Sequence, residues 1–344
     1  MKNLKEETVN FNPENERIKY NYIIDYRMEK EADEKTCISV LKHLREYELL
    51  NSFKPFMTID NHSIDNYIKN LLDKDLSLSY IEHNLNKVKE FYSWYREQGN
   101  NFRKINYSDI KLFRLTRNQK RQARASEYQE SYSIDEIYQA IRAMPSNTSF
   151  ERRNKAIVSI QAICGFRVSE LRTIGMKNVK LCKETKRWLI HVNPKDMKAK
   201  FAKDRTAYFL PCPKDIQSNV LNWFEELKQL DFKGKDPLFP KINNQFNQMN
   251  LLEPKISKCF LKSNTSVSSI FRKAFENVGF EYLRIHSFRH TIIREAERET
   301  PEYLNAVRLS LGHSHINTTL QSYGEIPPMA RARVFNEYEN KKAI

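Results

Sequence analysis

Residues 286–291 read His-Ser-Phe-Arg-His-Thr, residues 311–313 read Leu-Gly-His, and residues 318–323 read Thr-Thr-Leu-Gln-Ser-Tyr. Together they concentrate histidines, an arginine and a tyrosine in a polar set that the core of a helical domain does not require. Imidazole titrates near neutral pH, guanidinium is a planar and permanent cation, and a phenolic hydroxyl can act as a nucleophile. The stretch is therefore suited to chemistry on a phosphate group.

A second polar motif lies earlier in the chain, where residues 165–171 read Gly-Phe-Arg-Val-Ser-Glu-Leu. Between the two, a lysine-rich turn separates the β-prone segments 188–192 and 206–210, which predicts a hairpin with a long loop. In this order the motifs resemble the tyrosine recombinase (phage integrase) family, whose pattern is G-x-R-x-S-E-L, a hairpin lysine, H-x-x-R-H-T, L-G-H and a tyrosine shortly after Thr-Thr. Each motif alone occurs by chance in many chains, whereas the ordered set is specific.

The resemblance implies a role for each motif residue in cleaving a DNA phosphodiester. Arg167 and Arg289 are implied to neutralise the non-bridging oxygens, a task that suits the bidentate guanidinium fork. Tyr323 is implied to be the nucleophile that forms a 3′-phosphotyrosyl intermediate, and His286 and His313 are implied to transfer protons or to hydrogen-bond the phosphate. No cofactor, metal or ATP is expected, because the covalent link conserves the energy of the broken bond.

Further residues near these motifs are interpreted as supporting groups. Glu170 matches the family's acidic position, where it would orient its neighbours. Arg167 can also be interpreted as a helix-end arginine paired with Glu170, and both interpretations can hold. His290 is expected to be a buried scaffold donor, and His315, outside any motif position, is expected to be exposed.

The family places a catalytic lysine in the hairpin turn, where its ammonium protonates the departing 5′ oxygen. This turn offers Lys195, Lys198, Lys200 and Lys203. Counting forward from the first strand selects Lys195, which we prefer because the loop is longer than in short family members. Counting back from Arg205 selects Lys200, and Lys198 stays an alternative.

The composition indicates a polyanionic partner. The 344 residues carry 58 lysines and arginines against 43 aspartates and glutamates, a formal net charge of +15. An excess of this size favours nucleic acid. Membrane association is the competing interpretation, but no apolar run approaches the roughly 20 residues that span a bilayer, and no signal-peptide pattern opens the chain. We therefore predict a cytoplasmic protein without membrane contact.

The five cysteines are scattered, odd in number and without C-x-x-C spacing. This pattern predicts reduced, mostly packed thiols and neither a zinc site nor a disulfide framework. The sequence also lacks G-x-x-x-x-G-K-[ST], so nucleotide binding through a P-loop is unsupported.

The chain is long enough for two domains, each with its own core. Apolar residues recur at helical spacing between residues 36 and 99, which predicts an all-α module similar in position and pattern to the family's core-binding, SAM-like domain. The predicted fold is mostly α with a small β-hairpin or sheet, arranged as a two-domain clamp. The predicted regions are a flexible N-terminal arm (1–30), the core-binding domain (31–112), a basic linker (113–132), the catalytic domain (133–328) and a C-terminal helix or tail for protomer docking (329–344).

Several patterns predict elements inside the catalytic domain. Residues 133–136, Ser-Ile-Asp-Glu, have capping-box spacing, and Thr300-Pro301 resembles an N-cap followed by proline. Residues 232–265, with their Pro, Asn and Gly, are expected to be mostly loop and to hold an insertion. Helices are predicted over residues 152–163, 215–230 and 266–278.

The segment 113–126 carries basic residues and no acidic ones. An isolated run of this kind is most often a solvated surface, but between two DNA-binding lobes it is interpreted as a segment that tracks phosphates with salt-sensitive affinity. The predicted DNA-binding residues are Arg114, Arg117, Lys120, Arg121 and Arg124.

The resemblance implies a site-specific recombinase that acts as a homotetramer on two sites in double-stranded DNA and exchanges strands through a Holliday junction. The long segment 232–265 and the expanded hairpin depart from compact resolvases and favour an integrase or transposase of a mobile genetic element, which an accessory DNA-bending or directionality protein can assist. A Xer-like dimer resolvase is the alternative within the class. A catalytically silent DNA-binding regulator is the alternative from another class, although a pure binder would not need all six motif residues.

Overall fold

The computed structural model describes residues 11–124, 130–198, 204–246 and 252–312. The chain divides into two compact units, Met1–Ala125 and Ser126–Ile344. Helices dominate both units, and small antiparallel sheets occur in the second. The predicted fold class, mostly α with a small β component, is confirmed. None of the helices in the described ranges combines the length and apolar composition that a membrane span requires.

The first unit is built from helices packed around aromatic side chains. Its core contains Phe56, Tyr67, Phe91, Tyr92 and Phe113, each 2% exposed or less. Ring pairs such as Phe56–Phe91 and Tyr47–Tyr67 meet edge to face, the geometry that aromatic quadrupoles favour. The helices are α1 (Pro13–Lys30), α2 (Glu34–Leu50), α3 (Asn61–Leu72), α4 (Leu78–Arg96), α5 (Tyr107–Ile110) and α6 (Arg117–Arg124).

The prediction of a flexible arm over residues 1–30 is wrong from residue 13 onward, and residues 1–10 lie outside the described residues. Asn12 caps α1 by accepting the backbone N–H groups of Glu14 and Asn15. Pro13 follows in the first helical turn, where its fixed φ is favourable. The helix is polar on most of its surface, but Ile18, Tyr22 and Tyr26 recur every four residues and enter the core. That spacing is a helical signal hidden by the polar composition around it.

The predicted linker also differs from the structure. Phe113 and Leu115 belong to the core of the first unit. α6 lies against α4 within that unit, where Ser79 Oγ donates to the carbonyl of Ala123 at 3.1 Å. Residues 113–124 are therefore an integral part of the first unit, because two apolar side chains among the arginines anchor them.

The second unit packs helices around a three-stranded antiparallel sheet of order β1-β2-β3. Trp223 is buried at its centre, and its indole N–H donates to the carbonyl of Leu238 at 2.8 Å. The elements are α7 (Ile134–Ala143), α8 (Ser149–Cys164), α9 (Val168–Leu171), β1 (Val179–Leu181), β2 (Trp188–Val192), β3 (Arg205–Tyr208), α10 (Lys214–Gln229), β4 (Pro240–Phe246), β5 (Leu252–Phe260), α11 (Asn264–Glu276), α12 (Ser287–Ala296) and α13 (Pro301–Leu311).

The predicted helix caps and the predicted hairpin of this unit are present in the structure. Ser133 and Glu136 form the capping box at the start of α7, Thr300 caps α13 with Pro301 behind it, and Gly312 ends α13 in the left-handed region. The predicted hairpin is present as β2 and β3, paired from Leu189↔Tyr208 to Val192↔Arg205.

The prediction that residues 232–265 are mostly loop is wrong. β4 and β5 pair as an antiparallel hairpin in this segment, with a register irregularity between Pro240 and Ile242. The polar residues of β4 show no apolar alternation, so no periodicity marks the strand in the sequence. Backbone pairing with β5 forms it instead.

Candidate active site

The arginine-box motif begins where α8 ends. Gly165 is the C-cap of α8 and has a φ of 56°, in the left-handed region that favours glycine. Close packing requires glycine as well, since a Cβ here would lie 2.7 Å from Leu311 Cδ2 and 2.9 Å from Ile292 Cδ1. α12 and α13 therefore approach the motif closely, and two segments that are distant in sequence become neighbours.

Glu170 is the buried acceptor of this motif. Its Oε2 accepts the backbone N–H of Arg167 at 3.0 Å, and its Oε1 accepts Nη1 of the same residue at 3.3 Å. Arg205 donates from Nη2 to Oε2 at 2.9 Å. One carboxylate thus binds two guanidinium groups. The Arg167 side chain nevertheless stays 26% exposed and accessible to a ligand.

Arg205 lies in this cluster although it is not among the predicted site residues. Its side chain is 7% exposed, and burial lowers the pKa of its guanidinium below the ordinary value. The charge of Glu170 opposes that shift, whereas Arg289 and Arg167 add to it. In the sequence it served only as the reference from which Lys200 is counted, directly before the β-prone segment 206–210.

Arg289 joins three motifs through its guanidinium. The residue lies on α12 with no exposed surface. Nη1 donates to the carbonyl of Gly165 and Nη2 to the carbonyl of Leu311, the latter at 3.0 Å. These carbonyls belong to the ends of α8 and α13, where the helix dipoles are negative. A permanent cation is therefore held where the arginine box, the H-x-x-R motif and the L-G-H motif meet.

His286 and His290 lie one turn apart at the start of α12, with ring centroids 5.1 Å apart in an edge-to-face arrangement. His290 is buried, as expected, and this burial lowers its pKa to about 3, with His286 adding to the shift. The pKa of His286 also lies well below its ordinary value, through burial first and then through Arg289 and Arg167. The side chain also reaches solvent, and the positive charges of the two guanidinium groups disfavour a third cation beside them. Both imidazoles are therefore neutral at pH 7.

Hydrogen bonds hold the first half of the lysine turn, which connects β2 and β3. The backbone N–H of Lys195 donates to Asn193 Oδ1 at 2.9 Å, and that of Lys198 donates to Thr173 Oγ1 at 3.0 Å. Thr173 follows α9, so the turn is tied to the arginine box. The side chains of Lys195 and Lys198 are both exposed. Lys200 and Lys203 lie outside the described residues.

The structure does not describe the second half of the predicted site. Its described residues end at Gly312, the C-cap of α13, and His313 is the next residue of the chain. His313, His315, Tyr323 and the C-terminal region 329–344 therefore lie outside the described residues. The structure brings together Arg167, Glu170, Arg289 and His286.

The predicted DNA-binding residues lie along α6 and the turn before it. Arg114, Arg117 and Arg121 are exposed. Lys120 is 3.6 Å from Glu82 Oε1, so part of its charge is compensated within the protein. The side chain of Arg124 lies outside the described residues.

Comparisons with known proteins identify the family of the chain. Residues 130–327 match the model of the phage integrase family. The chain is 27% identical over 319 residues to the "Probable integrase/recombinase" of Aquifex aeolicus (strain VF5), covering 87% of this chain and 93% of that protein.

Solved structures of low identity share the fold. One is the XerH site-specific recombinase in a post-cleavage complex with palindromic difH substrate, with a TM-score of 0.64, 15% identity, and coverage of 93% of this chain and 84% of that one. Another is a lambda integrase (75–356) dimer bound to a COC′ core site, with a TM-score of 0.62, 13% identity, and coverage of 91% and 96%.

The family model spans more than half of the chain, and it includes the arginine box, the H-x-x-R motif and the L-G-H motif in the expected order. The chain therefore belongs to the phage integrase family of tyrosine recombinases, and it is a site-specific recombinase.

Proposed function

We propose that this recombinase cleaves and rejoins double-stranded DNA through a 3′-phosphotyrosyl intermediate, with Tyr323 as the nucleophile. The observation that carries the proposal is the convergence of Arg167 and Arg289 on the end of α8, from positions 122 residues apart (289 − 167). Within the described contacts of this cluster, Arg167, Arg205 and Arg289 are set against the single carboxylate of Glu170. The excess of positive charge suits a phosphate diester.

Arg167 and Arg289 stabilise the charge that develops on the non-bridging oxygens as the fifth bond to phosphorus forms. Groups that are already in place when this charge develops need no reorganisation, and loss of one such donor typically costs about 10² to 10³ in rate. Arg289 is held by two carbonyl groups and Arg167 by Glu170, so both are fixed before the substrate arrives.

The chemical step transfers the phosphoryl group of the DNA from the 5′ oxygen to the tyrosine. The hydroxyl oxygen of Tyr323 attacks phosphorus, and the bond between phosphorus and the 5′ oxygen breaks. One protein group accepts the phenolic proton, and another donates a proton to the 5′ oxygen. His286, neutral at pH 7, can accept the hydrogen bond of the phenol, and His313 is the second histidine proposed for this step. Lys195, with Lys198 and Lys200 as alternatives, protonates the departing oxygen. Attack by the 5′ hydroxyl on the phosphotyrosine reverses these steps without a cofactor.

We further propose that four copies assemble on two DNA sites and exchange strands through a Holliday junction. The basic excess of the chain and the exposed arginines of α6 support a duplex partner. The β4–β5 hairpin adds to the domain beyond the motifs, which supports an integrase or transposase of a mobile genetic element over a Xer-like resolvase.

A suicide-substrate assay tests the proposal. Nicked duplexes from the genomic neighbourhood of the gene are incubated with the protein without metal or ATP, and a denaturing gel reports a covalent protein–DNA adduct. The expected result is an adduct that is lost in Tyr323→Phe while duplex binding is retained. Tyr303→Phe is the matched control, because Tyr303 is a partly buried tyrosine on α13 that packs against the apolar cluster containing Ile292 and Leu311. Binding to recognised sites without any adduct would overturn the enzymatic mechanism and favour a silent regulator.

A further inference from the structure

We propose that Arg205 is a positioning residue of the recombination reaction, which holds Glu170 and thereby keeps the guanidinium of Arg167 available to the scissile phosphate. The inference rests on the proposed function of Arg167. It assigns a role to a residue outside the motif set, on the strand that follows the lysine turn.

Arg205 is unusual in its burial. A side chain that is 7% exposed has lost most of its hydration, and its Nη2 forms a 2.9 Å bond with Glu170. Within the described residues its Nε has no hydrogen-bond partner. A buried guanidinium destabilises the fold unless its charge interacts with a partner, since desolvation opposes the charged form. The fold nevertheless places it beside Arg289 and Arg167, whose charges disfavour it further.

The other side of Arg205 faces the end of α13. A Cβ at Gly312 would lie 2.6 Å from Arg205 Nε and 2.8 Å from Cδ, so the side chain packs directly on the Gly312 backbone. Its Cζ is 5.8 Å from the ring centroid of Phe166 in the arginine box. One side chain thus fills the space between β3, the arginine box and the residue that precedes His313.

The charge arrangement explains why this contact matters for Arg167. Oε2 of Glu170 is shared by Arg205 and the backbone N–H of Arg167, and only Oε1 receives the Arg167 guanidinium, at a longer distance of 3.3 Å. Without Arg205, the Arg167 guanidinium would be the one guanidinium bound to the Glu170 carboxylate. The two would then form a tighter ion pair. Its fork would then be less available for phosphate, although DNA would still bind.

The test measures single-turnover cleavage of the suicide substrate together with duplex affinity. Arg205→Met is expected to lower the cleavage rate by about 10²-fold, comparable to the loss of one charge-stabilising donor, with the dissociation constant changed less than about threefold. Arg205→Lys, which keeps the charge but loses the fork, is expected to recover part of the rate. Arg187→Met is the matched control, because Arg187 is an exposed arginine of the same hairpin that donates to the Phe209 carbonyl and lies outside the cluster.

A double-mutant cycle separates positioning from a general structural role. Arg205→Met combined with Glu170→Gln is expected to cleave no more slowly than the slower single variant, because both changes act through one contact. Rates that multiply, or a rate and an affinity that fall together, would overturn the proposal. Thermal melting monitors the folding of each variant. If Arg205→Met does not fold, the double-mutant cycle is repeated with Arg205→Lys in its place.

A measurement without turnover distinguishes failure of this inference from failure of the proposed function. The side-chain Nε–H NMR signal of Arg167 in the free protein is expected to move in Arg205→Met and to stay unchanged in Arg187→Met. An unmoved signal overturns the positioning role whether or not the wild-type protein forms an adduct. A moved signal in a protein that forms no adduct supports the contact and contradicts only the recombination mechanism.

Discussion

Two buried charge clusters, one in each unit, differ in their balance. In the first unit, Lys19 Nζ lies 2.5 Å from Glu48 Oε2 and 2.7 Å from Glu16 Oε1, and Asn15 Nδ2 donates to Glu48 Oε1 at 3.1 Å. Asn15 also accepts the backbone N–H of Phe56 at 3.0 Å. The cation is matched by acids, and the amide connects three segments of chain. This is how a buried pair is tolerated when it serves the fold.

In the second unit the balance is reversed. Glu170 is the acid that binds Arg167 and Arg205, and Arg289 is held by carbonyl oxygens. Helix ends and one carboxylate keep the cations in place without cancelling their charge. A cluster built for an anionic ligand can therefore be recognised by the positive charge that remains after the internal contacts are counted.

The largest effect on stability is expected from breaking the balanced cluster. Glu48→Ala leaves Lys19 buried without its main partner, a change that typically costs about 3–5 kcal/mol. Hydrogen exchange of the first unit should show the loss. Replacement of the pair by Lys19→Met with Glu48→Leu should restore most of the stability, because two apolar groups need no partner. A cost of Glu48→Ala below about 1 kcal/mol would contradict a stabilising role for the pair.

Removal of a cation from the unbalanced cluster should act on rate rather than on folding. Arg167→Ala is expected to slow formation of the covalent adduct by about 10²- to 10³-fold, because a fixed donor to the phosphate is lost. Arg142→Ala is the control, since Arg142 forms an exposed pair with Asp215 in the same unit, at 2.8 Å. Equal rates for the two variants would refute the role of Arg167.

Gly312→Ala should displace the buried cation Arg205 without removing it. Gly312 has a φ of 79°, so alanine costs about 1–2 kcal/mol, and its Cβ would also collide with Arg205. Gly279→Ala is the matched control, with a φ of 78° and no atom within 4 Å of the added Cβ. Gly279→Ala should show only the cost of the left-handed backbone, and Gly312→Ala should be destabilised somewhat more because of the collision, whereas cleavage should fall, by up to about 10²-fold, only in Gly312→Ala. Equal cleavage rates would contradict the packing of Arg205 on Gly312.

A smaller change, for each pH unit, is expected from acid. The pKa of His290 is lowered from 6.5 to about 3 by burial, so between these values the unfolded chain binds a proton that the folded chain excludes. Stability therefore rises with pH in this window, and acidification should weaken the second unit by roughly 1.4 kcal/mol for each pH unit. The ring signals of His290 in NMR spectra should not titrate between pH 7 and 4.5. A midpoint near 6.5 for His290 would contradict its burial as a neutral group.

The smallest effect is expected from the loss of solvent-exposed arginines. Arg117→Ala and Arg121→Ala on α6 should each weaken duplex binding modestly and reduce the slope of log affinity against log salt by about 1 for each lost phosphate contact. Stability should not change, because both side chains are exposed. An unchanged salt slope in both variants would remove α6 from the proposed DNA interface.

Short-range patterns in the sequence predicted a large part of the fold. The capping box at Ser133, the N-cap and proline at Thr300-Pro301 and the β-prone segments around the lysine turn depend on contacts a few residues apart, so their spacing is visible in the chain. α1 and the β4–β5 hairpin were missed. Their polar composition hides them, and each is stabilised by packing or pairing with chain further away.

The residue types and order of the motifs, the basic excess and the positions of the helix caps follow from the sequence alone, because each depends on local composition and spacing. Only the tertiary structure decided that Arg289 bonds carbonyls 124 and 22 residues away, that Glu170 is shared with Arg205, and that the histidines of α12 are held neutral. Burial and the sum of neighbouring charges set these properties. Both depend on which distant segments are brought within a few ångströms of each other.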